Sequence, residues 1–311
     1  MTTSRCGPPR TANPCVAGFG TARSPPRTED LLRRCTFPPA GTPLVCAVSG
    51  GADSLALLAL AVAAGCRATA AHVDHGLRAG SAAEADVVEA AARRLGAGFA
   101  AHRVAVAPGA NLEARARDAR RAVLPPGTAT GHTADDQAET IIVNLLRGAG
   151  LDGLAGMRPG PAKPILALRR HETRALCGQL GLVPLDDPTN RDPAFVRNRI
   201  RHEVIPLLDE VAGRDVAGLL ARQAHLLRDE ATLLDALAAG IDPTESRAVA
   251  GAPIPLARRA VRRWLAAGVD HPPAAADVER VLAVAAGEAV ACEIAGGRRV
   301  RRTAGRLVLD P

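Results

Sequence analysis

The six residues from 49 to 54, Ser-Gly-Gly-Ala-Asp-Ser, have the composition of a phosphate-binding loop. They follow a short apolar run at residues 44–48 and precede an apolar segment from 53 to 64, which predicts a buried strand, a glycine turn and a helix. Glycines allow backbone N–H groups to approach an anion closely, and a helix N-terminus adds positive dipole charge. The candidate phosphate-binding residues are Ser49, Gly50, Gly51, Ala52, Asp53 and Ser54. An ordinary strand-to-helix turn can have the same composition, and the segment lacks the lysine of a Walker loop.

A second polar group follows the next predicted strand, residues 68–73. It reads His72-Val-Asp74-His75-Gly-Leu-Arg78. In open parallel sheets, ligands bind beyond the carboxyl ends of the strands, so Asp74 and His75 are expected beside the phosphate loop. As isolated residues, these histidines are more often ordinary loop or edge residues, and a metal site would need further ligands.

A third group lies at the end of the predicted fourth strand and in the first turn of its helix. It contains His132, Asp135, Asp136 and Glu139. Because Asp136 and Glu139 are three residues apart, they share one helical face, where they can bind Mg²⁺ or a substrate ammonium group. An acidic first turn that merely complements the helix dipole explains Asp135 and Asp136, but it explains His132 and Glu139 less well.

The elements that must position these groups alternate between strand and helix. The predicted strands are residues 44–48, 68–73, 99–106 and 128–131, and the predicted helices are residues 53–64, 82–95, 111–124 and 134–146. This alternation predicts an α/β fold, an open parallel sheet with helices on both faces.

The remaining sequence divides the chain into three parts. Residues 1–43 are rich in proline and are expected to be a disordered leader, and residues 44–213 are expected to form the catalytic domain. A basic helix is predicted near residues 195–208. Residues 214–311 are expected to form a smaller, mostly helical domain that ends in short antiparallel strands.

Composition narrows the class of protein. The chain has 311 residues, a formal net charge of +7 and seven dispersed cysteines, with no C-x-x-C pair. Its longest apolar run is about half of the ~20 residues that span a bilayer, and no secretory signal is recognisable. We therefore expect a cytoplasmic protein that has no disulfide framework and does not bind a membrane. The basic charge allows a polyanionic partner without requiring one.

Together, SGGADS, HVDHGLR and GHTADDQAET followed by NLLRGAGLDGLAGM resemble the tRNA(Ile)-lysidine synthetases of the PP-loop, or N-type ATP pyrophosphatase, superfamily. The resemblance continues through DPTNRDPAFVRNRIRHEVIPLL and covers most of residues 44–311, as in the short form of the family. It implies an adenine nucleotide α-hydrolase-like fold. The chain has Arg121 where relatives tend to have tyrosine, and Lys163-Pro164-Ile165 where they tend to have Arg-Pro-Leu.

The resemblance implies a ligase that joins free L-lysine to C2 of the wobble cytidine of tRNA(Ile) with a CAU anticodon. ATP would first adenylate the cytidine with release of pyrophosphate, and lysine would then displace AMP. Mg²⁺ is the implied cofactor, and Asp53 is the residue expected to hold it. The sequence leaves the oligomeric state open, and a homodimer is compatible with it.

The same resemblance assigns roles to the candidate residues. Residues 49–54, Asp74 and His75 would bind ATP, and Asp136 and Glu139 would bind the lysine ammonium or a metal. His132 and Asp135 would help to deprotonate the amine. The expected tRNA-binding residues are Arg147, Arg197, Arg199 and Arg201, for which an exposed salt-bridged face is the alternative.

Other functions remain compatible with parts of the pattern. A PP-loop tRNA thiolase uses the same adenylation but usually relies on paired cysteines, whereas the cysteines here are dispersed. NAD synthetase shares only the first loop. A non-catalytic RNA- or nucleotide-binding module would not need Asp53, Asp136 and Glu139.

Overall fold

The computed structural model of the protein describes residues 27–74, 82–104, 112–186, 188–269 and 273–310. Its first part contains a four-stranded sheet in the order β3-β2-β1-β4, with all three pairings parallel. The strands are β1 (Pro43–Ala47), β2 (Arg67–Asp74), β3 (Gly98–Arg103) and β4 (Ala129–Thr130). The predicted parallel α/β sheet is therefore confirmed.

Helices follow the strands as the alternation predicts. The helices of this part are α1 (Thr28–Leu32), α2 (Ala52–Ala63), α3 (Ala82–Leu95), α4 (Leu112–Val123), α5 (Ala134–Leu146), α6 (Leu151–Leu154) and α7 (Arg170–Gln179). Helix α2 is almost wholly apolar, and residues 54–61 are buried, so it forms the centre of the core under the sheet. Strand β4 has only two residues; the backbone N–H of Thr130 donates to the carbonyl of Ala162, and the chain then turns into α5.

The prediction that residues 1–43 are disordered is wrong for residues 27–43. Leu31 of α1 is completely buried in the main core, and the backbone N–H of Thr36 donates to the carbonyl of Pro164 at 2.9 Å. The proline content of this segment indicated disorder, but its leucines bury enough apolar surface to fix it on the domain. Residues 1–26 lie outside the described residues.

The basic segment after residue 195 is not one continuous α-helix. It consists of α8 (Val196–Arg199), a π-helical stretch (Ile200–Val204) and α9 (Ile205–Ala212). Gly213 ends α9 in the left-handed conformation with φ +60°, which glycine adopts without steric cost.

The last third of the chain confirms the predicted helices and terminal antiparallel strands. It contains α10 (Val216–Ala238), α11 (Ser246–Gly251), α12 (Ile254–Ala266), α13 (Ala275–Ala286), β5 (Ala291–Glu293), β6 (Arg299–Thr303) and β7 (Arg306–Asp310). Strands β5–β6 and β6–β7 pair antiparallel. A second hydrophobic core, made from residues between Val249 and Leu307, is separate from the core under the parallel sheet.

Helix α10 lies between these two cores. It packs against α5 and α6 on one side and α12 on the other. Arg228 of α10 donates to the carbonyls of Ala155 and Met157 at 3.0 and 2.8 Å. Contacts thus cross the domain boundary expected near Gly213, and that boundary stays a prediction. In the part of the chain that the structure describes, no helix combines the length and the apolar character that a bilayer crossing requires.

Candidate active site

The loop between β1 and α2 has the geometry that its glycines predict. Gly50 adopts φ +85°, and a Cβ there would lie 2.5 Å from Cδ1 of Leu185. The Ser54 hydroxyl donates to the carbonyl of Gly51 at 2.8 Å and accepts from the backbone N–H of Ser49 at 3.2 Å. The loop is thus closed on itself at the N-terminus of α2, where backbone donors and the helix dipole favour an anion.

The strand order places this loop at the carboxyl edge of the sheet, between the ends of β2 and β4. After β4 the backbone at Gly131 passes very close to the phosphate loop. A Cβ added to Gly131 would lie only 2.8 Å from the carbonyl oxygen of Asp53. Only glycine permits this approach, which brings the start of α5 next to the start of α2.

An arginine joins the polar groups of the two helices. The Arg170 guanidinium, at the start of α7, places Nη2 2.8 Å from Oδ1 of Asp136. Its Nη1 and Nη2 each lie 3.2 Å from Oε1 of Glu139, and its Nε lies 3.4 Å from Oδ2 of Asp53. The phosphate loop and the α5 carboxylates predicted from sequence therefore belong to one cluster.

Asp136 is held in its charged form. Thr133 donates to Oδ2 of Asp136 from both its backbone N–H and its hydroxyl, each at 2.8 Å. Burial alone would raise the pKa of Asp136, but the positive charge of Arg170 and the Thr133 hydrogen bonds outweigh burial, so the pKa lies below its usual value. A carboxylate that is charged at neutral pH suits the binding of a cation.

Glu139 is fully buried and surrounded by arginines. In addition to Arg170, it accepts from Nε and Nη2 of Arg201 at 2.7 and 3.1 Å, and Nε of Arg197 lies 3.9 Å away. A buried carboxylate is tolerated only when it is paired in this way.

Asp53 projects from the phosphate loop into the same cluster. The hydroxyl of Thr173, on α7, donates to its Oδ1, and Arg170 lies on its Oδ2 side. Burial raises the pKa of Asp53, and the contacts with Thr173 and Arg170 offset only part of that effect.

Asp135 faces away from the cluster although it is adjacent to Asp136. It accepts from Nε and Nη2 of Arg169 at 3.1 and 2.9 Å and from the backbone N–H of Arg170 at 2.7 Å. Arg169 also bonds Asp215, whose side chain caps the N-terminus of α10. Burial opposes the charged form, but the Arg169 and Arg170 hydrogen bonds lower the pKa of Asp135 below its usual range. Its carboxylate thus ties the start of α5 to α7 and, through Arg169, to α10.

His132 lies at the edge of the cluster. Its Nδ1 is 2.8 Å from the hydroxyl of Thr130, which also contacts the carbonyl of Ala162 at 3.1 Å. The imidazole also belongs to the groups that interact electrostatically with Asp136.

The two residues expected from the second strand are only partly described. Asp74 ends β2 at the same sheet edge, with Oδ2 3.9 Å from Nε of Arg103. His75 lies outside the described residues, as does Arg78.

The four arginines expected to bind tRNA occupy different surroundings. Arg197 and Arg201 turn inward, since Arg201 pairs with Glu139 and Arg197 donates to the hydroxyl of Thr140 at 2.6 Å. An outward role in gripping a nucleic acid backbone does not fit these two contacts. Arg199 is exposed and pairs with Glu203 at 3.0 Å. Arg147 is exposed at the far end of α5, roughly 16 Å along the helix from Asp136 at 1.5 Å per residue.

Sequence reasoning missed Arg169, Arg170 and Thr173. They lie at the start of α7, more than a hundred residues after the phosphate loop in the chain. The one feature of the sequence that could have indicated them is the pair of consecutive arginines, Arg169 and Arg170. Arg169 contacts Asp135, and Arg170 contacts Asp136.

The cluster does not form a ready-made metal cage. Among the residues that the structure describes, no group of three histidine, cysteine or acidic side chains could hold a metal ion. The described cysteines (Cys35, Cys46, Cys66, Cys177 and Cys292) are free thiols. Mg²⁺, however, commonly uses one or two carboxylates together with substrate phosphates and water, and Asp53 fits that more limited role.

Comparisons with known proteins identify relatives of the chain. A family described as a PP-loop domain matches residues 28–208. The tRNA(Ile)-lysidine synthase of Nocardia farcinica is 46% identical over 245 residues, which cover 74% of this chain and 77% of that protein. The tRNA(Ile)-lysidine synthase of Thermobifida fusca is 39% identical over 306 residues, which cover 88% and 93%.

A solved structure matches the fold. The U34-tRNA thiolase NcsA from Methanococcus maripaludis, determined with its [4Fe-4S] cluster, superposes with a TM-score of 0.53, covering 65% of this chain and 78% of that one. At 17% identity, this likeness shows a shared architecture and nothing about the reaction.

Proposed function

The chain belongs to the tRNA(Ile)-lysidine synthase family and carries a PP-loop domain, and on that premise we propose that it ligates free L-lysine to the wobble cytidine of tRNA(Ile) with a CAU anticodon, using ATP. It is a ligase of tRNA modification. The thiolase and the non-catalytic binding module are not favoured.

One observation supports the proposed mechanism more than any other: the phosphate loop and the α5 carboxylates meet. Asp53 of the loop and Asp136 and Glu139 of α5 contact the same guanidinium, at the carboxyl edge of a parallel sheet. A triphosphate on the loop would therefore lie within a few ångströms of a site suited to an ammonium group.

In the first step the C2 oxygen of cytidine attacks the α-phosphorus of ATP. The bond from that phosphorus to the bridging oxygen breaks, and pyrophosphate leaves. Backbone N–H groups of residues 49–54 and the N-terminus of α2 would hold the phosphates and stabilise the charge that develops on them. Asp74 and His75 remain proposed ATP-binding residues on the neighbouring strand end. Adenylation converts a poor leaving group into a good one.

In the second step the ε-amine of lysine attacks C2, the C2–O bond breaks, and AMP leaves with the oxygen. Asp136 and Glu139 would bind the lysine ammonium and orient its chain. The amine must lose a proton before it can attack, and His132, in its neutral form, would accept it. The contacts of Asp135 with Arg169 favour a positioning role for Asp135 over the role of a base.

Mg²⁺ would be held by Asp53 together with the phosphates, where it would neutralise charge on the departing pyrophosphate. The exposed Arg147 and Arg199 remain proposed contacts for the tRNA backbone. The cytoplasmic location and the homodimer also stay predictions.

A labelling experiment tests the proposed function. Transcribed tRNA(Ile) with a CAU anticodon, ATP and radiolabelled lysine are incubated with the protein, and label in tRNA is measured. We expect label only when ATP is present, and none with Asp136→Ala. The matched control is Asp118→Asn, an exposed acid on α4, which should label like the wild type. A wild-type protein that binds ATP but leaves the tRNA without label would contradict the proposal.

A further inference from the structure

The proposed lysine site already contains its own cations. Three carboxylates of the cluster, Asp53, Asp136 and Glu139, face three guanidinium groups, those of Arg170, Arg197 and Arg201. With all six side chains ionised, the charges cancel. A lysine ammonium added to this arrangement would bring an uncompensated charge into a partly buried pocket, which is costly.

Arg170 differs from the other two arginines in what it touches. Among the described residues, the carboxylates that Arg197 and Arg201 contact all belong to α5. Among the guanidinium groups that the structure describes, that of Arg170 alone reaches both the α5 carboxylates and Asp53 of the phosphate loop. Its contact with Asp53, at 3.4 Å, is the longest of its carboxylate contacts.

A triphosphate bound to the loop would compete for this guanidinium. Phosphate oxygens accept paired hydrogen bonds from arginine, and the triphosphate carries more negative charge than a single carboxylate. Because Arg170 already borders the loop, a change of side-chain conformation alone would carry its guanidinium from the carboxylates to the phosphates.

We propose that Arg170 controls access to the lysine site: ATP binding draws its guanidinium onto the phosphates, and this frees Asp136 and Glu139 to bind the lysine ammonium. This inference rests on the proposed function. One cation then replaces another beside α5, so the pocket keeps its charge balance. The order of binding follows, with the nucleotide first and lysine second, and the carboxylates are blocked whenever no nucleotide is present.

Lysine binding to the intact wild-type protein tests this directly. Calorimetric titrations with L-lysine are made without nucleotide and with saturating α,β-methylene ATP, which cannot transfer AMP because its α–β linkage resists cleavage. We expect the nucleotide analogue to increase lysine affinity by about tenfold or more, within the usual range of coupling between two sites. Equal lysine affinity in the two titrations would overturn the inference.

Variants at position 170 identify the residue responsible. Arg170→Met keeps much of the aliphatic volume but removes the cation, so lysine should bind without nucleotide and the analogue should change its affinity by less than about threefold. Arg170→Lys keeps a cation without the planar fork and should restore part of the coupling. Arg174→Met, on the exposed side of the same helix, is the matched control and should couple like the wild type.

The outcomes separate this inference from the function it rests on. Label in tRNA with equal lysine affinities would leave the ligase reaction standing and remove the role of Arg170. Persistent coupling in a folded Arg170→Met protein, checked by thermal melting, would also reject it. If Arg170→Met does not fold, the two wild-type titrations still decide.

Discussion

Nη2 of Arg170 lies 2.8 Å from Oδ1 of Asp136, although 34 residues separate them in the chain. The two residues occupy the first turns of different helices, α7 and α5. A helix N-terminus favours an anion, so the dipole of α7 does not stabilise the positive charge of Arg170. The carboxylates that Arg170 contacts stabilise this charge instead. This contact joins the segment that sequence reasoning identified to the segment that it missed.

Replacing Glu139 by glutamine should destabilise the protein substantially. Glu139 is fully buried, and its loss of charge would remove the nearest carboxylate of Arg201 and one of the carboxylates that Arg170 contacts. Removing one partner of a buried ion pair typically costs about 3–5 kcal/mol. Urea unfolding of Glu139→Gln at neutral pH measures this cost.

The matched control is Glu203→Gln. Glu203 also pairs with an arginine, Arg199, but its side chain is 52% exposed, so the change should cost less than about 1 kcal/mol. Similar losses in the two variants would show that the cluster around Glu139 is solvated rather than buried.

Local sequence patterns predicted the sheet and the edge at which the site forms. The alternation of strands and helices fixes a parallel sheet, and the carboxyl ends of parallel strands share one edge, so residues 49–54 and Asp136 had to lie near each other. Gly50 and Gly131 reinforce this placement, since a side chain at either position would collide with its neighbour.

The arginine lining of the site could not be predicted in the same way. A spacing of four residues indicates that Arg197 and Arg201 share a face, but it does not tell which face points inward, and here the π-helical turn and buried Glu139 decide. Arg170 joins elements through contacts that depend on tertiary packing, which leaves no periodic signal in the sequence.

The acid sensitivity of the protein should depend on Asp135. Despite burial, its hydrogen bonds with Arg169 and Arg170 hold its pKa below the usual value in the folded state. Its stabilising contribution is therefore fully present above the unfolded pKa of about 3.9 and is lost as pH falls through the lowered folded value. Unfolding free energies of the wild type and Asp135→Asn should differ by a constant amount between about pH 5 and pH 7 and converge below about pH 3.9. A difference that grows as the pH falls would contradict this assignment.

The conformation of the phosphate loop can be tested at Gly50. Gly50→Ala adds a Cβ at φ +85° and within 2.5 Å of the Leu185 side chain, so the loop should shift and ATP affinity should fall by about tenfold or more. Gly41→Ala is the matched control, because Gly41 has φ +81° with no atom within 4 Å of the added Cβ. Both variants should lose about 1 kcal/mol of stability from backbone strain, but only Gly50→Ala should bind ATP more weakly in calorimetry. Equal ATP affinities would show that the loop does not contact the nucleotide.

Substitution of His132 should separate the two chemical steps. If His132 accepts the proton of the lysine amine, His132→Asn should slow lysine transfer by about a hundredfold, the usual contribution of a general base, while pyrophosphate release changes by less than about threefold. Adenylated tRNA should then accumulate, and it can be trapped by rapid quenching with ATP labelled at the α-phosphate. His225→Asn, an exposed histidine on α10, is the control and should turn over like the wild type. If both steps slow equally, His132 supports the structure of the site or the binding of ATP, because a base acting only on lysine cannot alter the attack of cytidine on ATP.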